Sequence, residues 1–102
     1  MAKKKIPEVH YRASRICRAL GNPTAYELLH LLKKEKRTPD QLAVLLGVSL
    51  PTISQVLRVL RDLDLVRYEV KWRTHEYWIK TNAVPAALAG LERLVKVVEA
   101  MK

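Results

Sequence analysis

The chain has 102 residues, with 19 Lys and Arg against 10 Asp and Glu, a net charge of +9 and a pI near 10.0. That length carries one domain with a single modest core, and that charge asks for an anionic partner, nucleic acid first and a membrane surface as its rival. The lone Cys17 excludes an internal disulfide framework and fits a reducing cytoplasm, no apolar run approaches the roughly 20 residues of a spanning helix, and Lys3-Lys4-Lys5 leads into Ile6-Pro7-Glu8, unlike a signal peptide.

Residues 1–6 are expected to be a basic flexible tail, and 7–102 a single domain. Lys3, Lys4, Lys5, Arg12, Arg15 and Arg18 face only Glu8 within the first 18 residues. Such a run is either a solvated tail or a source of nonspecific phosphate contacts. A first helix is predicted over about 7–20, with Val9, Ala13, Ile16, Cys17 and Leu20 at helical spacing. Gly21-Asn22-Pro23 breaks it. Asn22 then caps a second helix, in which Ala25, Leu28, Leu29, Leu31 and Leu32 are expected to be mostly buried. That helix runs out into the basic stretch 33–37.

Residues 38–61 read as a helix-turn-helix. Thr38 is a good N-cap and Pro39 suits the first helical position. Leu42, Leu45 and Leu46 form a short stripe, Gly47 supplies the left-handed end, and Val48 plugs the turn. Ser49 caps the next helix, with Leu50 and Pro51 in its first turn. Ile53, Val56, Leu57 and Leu60 face inward there, which leaves Thr52, Ser54, Gln55 and Arg58 outside. No acid stands between Asp40 and Asp62. Hydroxyls suit phosphate oxygens, Gln can pair with adenine, and Arg with guanine. Thr38, Leu50, Pro51, Thr52, Ser54, Gln55 and Arg58 are therefore candidate DNA contacts. The competing reading is a plain solvated helix hairpin.

After Asp64 the pattern alternates. Val66, Tyr68, Val70 and Trp72 are expected on one face, and Arg67, Glu69, Lys71 and Arg73 on the other. A β-hairpin follows, with strands 65–71 and 76–80 around Trp72-Arg73-Thr74-His75. Lys71, Arg73 and His75 near the tip would let it lie along a phosphate backbone; otherwise the hairpin merely closes the core. A last helix is predicted over about 83–101, with Asn82 as cap and Pro85 in its first turn. Its stripe of Leu88, Leu91, Val95 and Val98 is too wide for one side of a small domain. Together with Val9, Ala13, Ile16 and Cys17 of the first helix it reads as a homodimer interface, the alternative being a lid on a monomer's core.

This order of elements, mainly α with a small β-hairpin (α1-α2-α3-α4-β-β-α5), resembles the ArsR/SmtB family of winged helix-turn-helix repressors. The resemblance covers about 13–100. It is carried by Ala19-Leu20-Gly21-Asn22-Pro23-Thr24, Leu28-Leu29-His30-Leu31-Leu32, Gln41-Leu42-Ala43, Leu46-Gly47-Val48-Ser49 and the run from Thr52 to Leu60. It implies a cytoplasmic homodimer, joined through its terminal helices, that binds an inverted-repeat operator in double-stranded DNA and represses transcription. Thr52, Ser54, Gln55 and Arg58 match the family's DNA-facing positions. The chain departs from the metal-sensing members: Arg37-Thr38-Pro39-Asp40 replaces their Cys-x-Cys motif, and the last helix offers only Glu92 and Glu99 as ligands. Ser54-Gln55-Val56-Leu57 stands where Ser-Arg-His-Leu is common, and the hairpin lacks the usual glycine.

No metal site and no cofactor are expected. His10 and Cys17 share a helix face, but Cys17 reads better as a small buried hydrophobe than as a ligand or redox switch. No residue arrangement supports an enzyme. The rivals to a sequence-specific regulator are a winged-helix module for protein contacts and a nonspecific DNA coat.

Overall fold

A computed structural model describes residues 5–102, so the basic tail expected at 1–6 lies outside the described residues except for Lys5 and Ile6, which are exposed and non-helical. The elements follow as α1 (Glu8–Leu20), α2 (Pro23–Lys34), α3 (Pro39–Leu46), α4 (Leu50–Asp62), β1 (Val66–Lys71), β2 (Thr74–Ile79) and α5 (Ala83–Ala100).

Each helix of the central trio starts where its sequence dictates. Asn22 Oδ1 accepts from the Thr24 and Ala25 amides. Thr38 and Gln41 close a reciprocal capping box: the Gln41 amide donates to Thr38 Oγ1, and the Thr38 amide donates to Gln41 Oε1. The Thr52 amide donates to Ser49 Oγ. Gly47 ends α3 at φ 67°, the conformation only glycine takes without strain. The expected Asn82 cap is not made; Thr81 Oγ1 accepts from the Ala83 amide at the start of α5.

The core gathers around α2. Leu28, Leu29 and Leu32 meet Leu42 of α3, the α4 row Ile53, Val56, Leu57 and Leu60, Val66 and Tyr77 of the hairpin, and Val84 and Leu88 of α5. Leu45 was expected in this core but is 51% exposed, and Leu46 and Val48 do the packing at the turn. An eight-residue helix has room for one fully buried position here, which Leu42 takes.

The hairpin pairs Val66 with Ile79 and Lys71 with Thr74, so its loop is the two residues Trp72 and Arg73. The strands thus reach further, and the loop is tighter, than the four-residue turn the sequence suggested. Trp72 leaves the alternating face altogether; it sits in the turn at φ 59° and 97% exposed. At the base, Arg37 exchanges backbone hydrogen bonds with Tyr77 (3.1 and 2.8 Å), a one-residue third strand that ties the hairpin to the loop before α3. An Asp64–Lys80 ion pair of 2.6 Å closes the other side.

The terminal helices stand partly clear of this body. α1 has no fully buried residue and touches the core through Ile16, Ala19 and Leu20. Past Leu88 every residue of α5 is exposed. The radius of gyration, 15.8 Å, exceeds the roughly 13 Å of a compact domain this long, as projecting helices require.

Candidate nucleic-acid interface

α3 and α4 meet at 114°, within the range of helix-turn-helix pairs. The rigid elbow comes from Gly47 and from two caps, Thr38 and Ser49, that satisfy the amide groups at both helix starts. All four predicted inward residues of α4, Ile53, Val56, Leu57 and Leu60, are buried, and Thr52, Ser54, Gln55 and Arg58 are exposed. Four anchors on one side leave the opposite side free to meet a ligand without disturbing the core.

That exposed face is flanked by two depressions. On one side a groove of about 630 Å³ runs between α1 and α4, with Thr52, Gln55, Val59 and Asp62 on one wall and Tyr11, Ser14, Arg15 and Arg18 on the other. On the other side a cleft of about 290 Å³ lies between α4 and the hairpin, lined by Ser54, Arg58, Arg61, Tyr68 and His75 among others. The α4 face therefore splits: Thr52 and Gln55 look toward α1, while Ser54 and Arg58 look toward the β1–β2 hairpin, the wing of this fold. Arg61 was not singled out in the sequence. Its guanidinium lies over the Tyr68 ring at 5.4 Å, and Tyr68 in turn packs edge-on against His75 at 4.7 Å. Two guanidiniums, an imidazole and hydroxyls around one cleft suit an anionic oxygen-rich group such as a phosphate. Only the one-turn spacing of Arg58 and Arg61 could have signalled this, and it needed the hairpin's position to acquire meaning.

The remaining predicted contacts fall differently. Leu50 and Pro51 are exposed at the start of α4. Thr38 is half-buried, with its hydroxyl committed to the capping box. On the wing, Arg73 and His75 are exposed, but Lys71 Nζ sits 3.2 Å from Glu76 and 3.9 Å from Glu69. Glu69 and Glu76 stand directly opposite each other across the strands, and Lys71 relieves their repulsion. Its charge is largely cancelled locally, so Lys71 is less available to phosphate than its position suggested.

Of the predicted interface residues, Val9, Ala13, Cys17, Leu91, Val95 and Val98 are exposed in the single chain. Leu88 is not: at 1% exposure it belongs to the core, and Ile16 is partly packed there too. Both lie at the inner ends of their helices, where the stripe still runs over α2. Cys17, read as a small buried hydrophobe, is exposed in the single chain. His30 is half-buried and satisfied. Its Nε2 lies 2.6 Å from Glu92 Oε2, and Tyr26 donates to the same oxygen at 2.6 Å, tying α2 to α5. The Tyr26 hydroxyl and then His30 hold the Glu92 carboxyl below its usual range, and the same bond to Glu92 pushes Tyr26 up to about 12. Among the described residues no three His, Cys, Asp or Glu gather as metal ligands, and no single helix is long and apolar enough to cross a membrane.

Residues 22–68 match the family model of bacterial regulatory proteins of the arsR family. No curated protein matches the chain by sequence. Among solved structures, NolR from Sinorhizobium fredii is similar at 28% identity and a TM-score of 0.79, over 91% of this chain and 96% of that one. HlyU from Vibrio cholerae is similar at 25% identity and a TM-score of 0.78, over 87% and 97%. A Mycobacterium bovis fragment, described as a homodimeric winged helix-turn-helix DNA-binding domain, shares the fold at 22% identity and a TM-score of 0.80, over 100% and 96%. Over residues 22–68 and in its fold the chain therefore resembles the arsR family of bacterial regulatory proteins.

Proposed function

We propose that this chain, which resembles the arsR family over residues 22–68, is a DNA-binding transcription regulator that acts in the cytoplasm as a homodimeric repressor on an inverted-repeat operator. The observation that carries the reading is the outer face of α4. It is exposed, polar and free of acids up to its last residue, Asp62, and it lies between a groove containing Arg15 and Arg18 and a cleft containing Arg58 and Arg61. In this arrangement α4 enters the major groove, where Gln55 and Arg58 read base edges while Thr52 and Ser54 hold phosphates. Arg61, His75 and Arg73 grip the backbone toward the wing.

The dimer reading is supported by the uncovered apolar side of α5, where Leu91, Leu94, Val95 and Val98 are exposed together, and by the similar exposure of Val9 on α1. Contiguous apolar surface of this kind marks an interface. A two-fold pairing through these helices would present two copies of α4 to half-sites about 34 Å apart. Repression follows from occupancy, since a dimer seated on a promoter excludes polymerase.

Duplex binding measured by fluorescence anisotropy across a salt series tests the reading. We expect tight binding that weakens steeply with salt, and loss of sequence preference in Gln55→Ala and Arg58→Ala. Absence of binding even at low salt would overturn it in favour of a protein-contact module.

A further inference from the structure

We infer that Trp72, at the tip of the wing, is a DNA-contacting wedge that enters the minor groove beside the major groove occupied by α4. The inference rests on the DNA-binding reading above and adds to it a residue that reads groove shape and step flexibility outside the half-site.

Two independent features meet at this position. The indole is 97% exposed, more than any other large apolar side chain among the described residues. Its backbone sits at φ 59°, where a bulky residue is an outlier and where two-residue turns ordinarily carry Gly, Asn or Asp. Neither feature helps the chain fold: glycine would relieve the backbone, and a polar side chain would relieve the solvent. A strained and exposed position of this kind points to use of the side chain itself.

The partner is set by what surrounds the indole. Arg73 is the other residue of the turn, and the wing behind it borders the cleft that holds Arg58, Arg61 and His75. The tip is therefore continuous with the cationic face of α4, in a chain of net charge +9. From Val66, which is buried, five strand steps carry β1 about 17 Å outward to Lys71. That reach is enough to cross the sugar-phosphate strand that separates the major from the minor groove. There an apolar wedge can part a flexible base step, while a neighbouring Arg is drawn to the negative potential of a narrow A·T-rich groove.

The test uses the chain with Trp78→Phe, which leaves Trp72 as the sole indole, titrated with A·T-rich and G·C-rich duplexes of equal length. Binding should quench Trp72 and shield it from iodide, more strongly with the A·T-rich duplex. Trp72→Ala should weaken binding about tenfold. Trp72→Gly, which suits the turn, should lose as much while melting no earlier than the natural chain. If Trp78→Phe does not fold, iodide shielding of the natural chain gives the same readout, because Trp78 is already half-buried. DNA that binds with Trp72 emission and shielding unchanged would overturn the wedge and leave the regulator standing, as would full binding by Trp72→Gly. Shielding that depends on protein concentration without DNA would assign the indole to a second copy and overturn it as well. Failure of every duplex to bind would overturn the DNA-binding reading itself.

Discussion

α4 and α5 both present a long exposed face, and the two faces have opposite chemistry. α4 buries Ile53, Val56, Leu57 and Leu60 and shows water Thr52, Ser54, Gln55 and Arg58. α5 buries only Val84 and Leu88, then carries Leu91, Leu94, Val95 and Val98 into solvent. A polar face needs no cover, so the absence of acids on α4 before its last residue, Asp62, points to an anion. An apolar face does need cover, so α5 points to a second protein surface. Exposure alone therefore says little; its chemistry separates the side of the molecule proposed to meet DNA from the side proposed to pair.

The largest expected effect is on the pairing side. Leu91→Glu places a charge in the α5 face and should cost about 3 kcal/mol or more of association per charge buried, leaving a folded monomer in sedimentation. Retention of dimer mass would remove α5 from the interface. On the DNA side, Arg58→Ala should weaken specific binding by about 1–3 kcal/mol without changing the oligomeric state. Equal losses on specific and random duplexes would demote Arg58 to a phosphate contact. Thr38→Ala removes one half of the capping box and should lower stability to denaturant by about 1 kcal/mol, with α4 contacts unaffected.

The smallest effect concerns the Tyr26–Glu92–His30 cluster that fastens α5 to α2. Tyr26 is raised from 10.0 to about 12 on folding. Its contribution is therefore present below pH 10 and is lost as pH rises toward about 12. Glu92 is lowered, so its contribution is present above the ordinary carboxylate range and is lost as acid carries the pH down through the depressed value. Glu92→Gln should flatten both limbs of the stability–pH curve, and an unchanged alkaline limb would dissociate Tyr26 from Glu92.

The helix-turn-helix was legible because several local signals agreed: caps at Asn22, Thr38 and Ser49, glycine at the αL position, and an unbroken 3-4 pattern in α4. Where a residue's fate depended on distant elements, the sequence was less informative. Leu45 and Leu88 have equally apolar patterns, yet the first is left 51% exposed while the second is buried in the core around α2. The hairpin loop was placed too widely because Trp72-Arg73 is not a turn dipeptide by composition; the tight turn is imposed on it. Arg61, Arg37 and the pairing of Lys71 with Glu69 and Glu76 emerge only when the wing folds against the body.

The most direct test of the central claim is selection of bound duplexes from a random pool at physiological salt, where nonspecific binding is suppressed. The account predicts recovery of an inverted repeat whose half-sites lie one helical turn apart. Recovery of DNA without any shared motif, with binding that vanishes as salt rises, would contradict it.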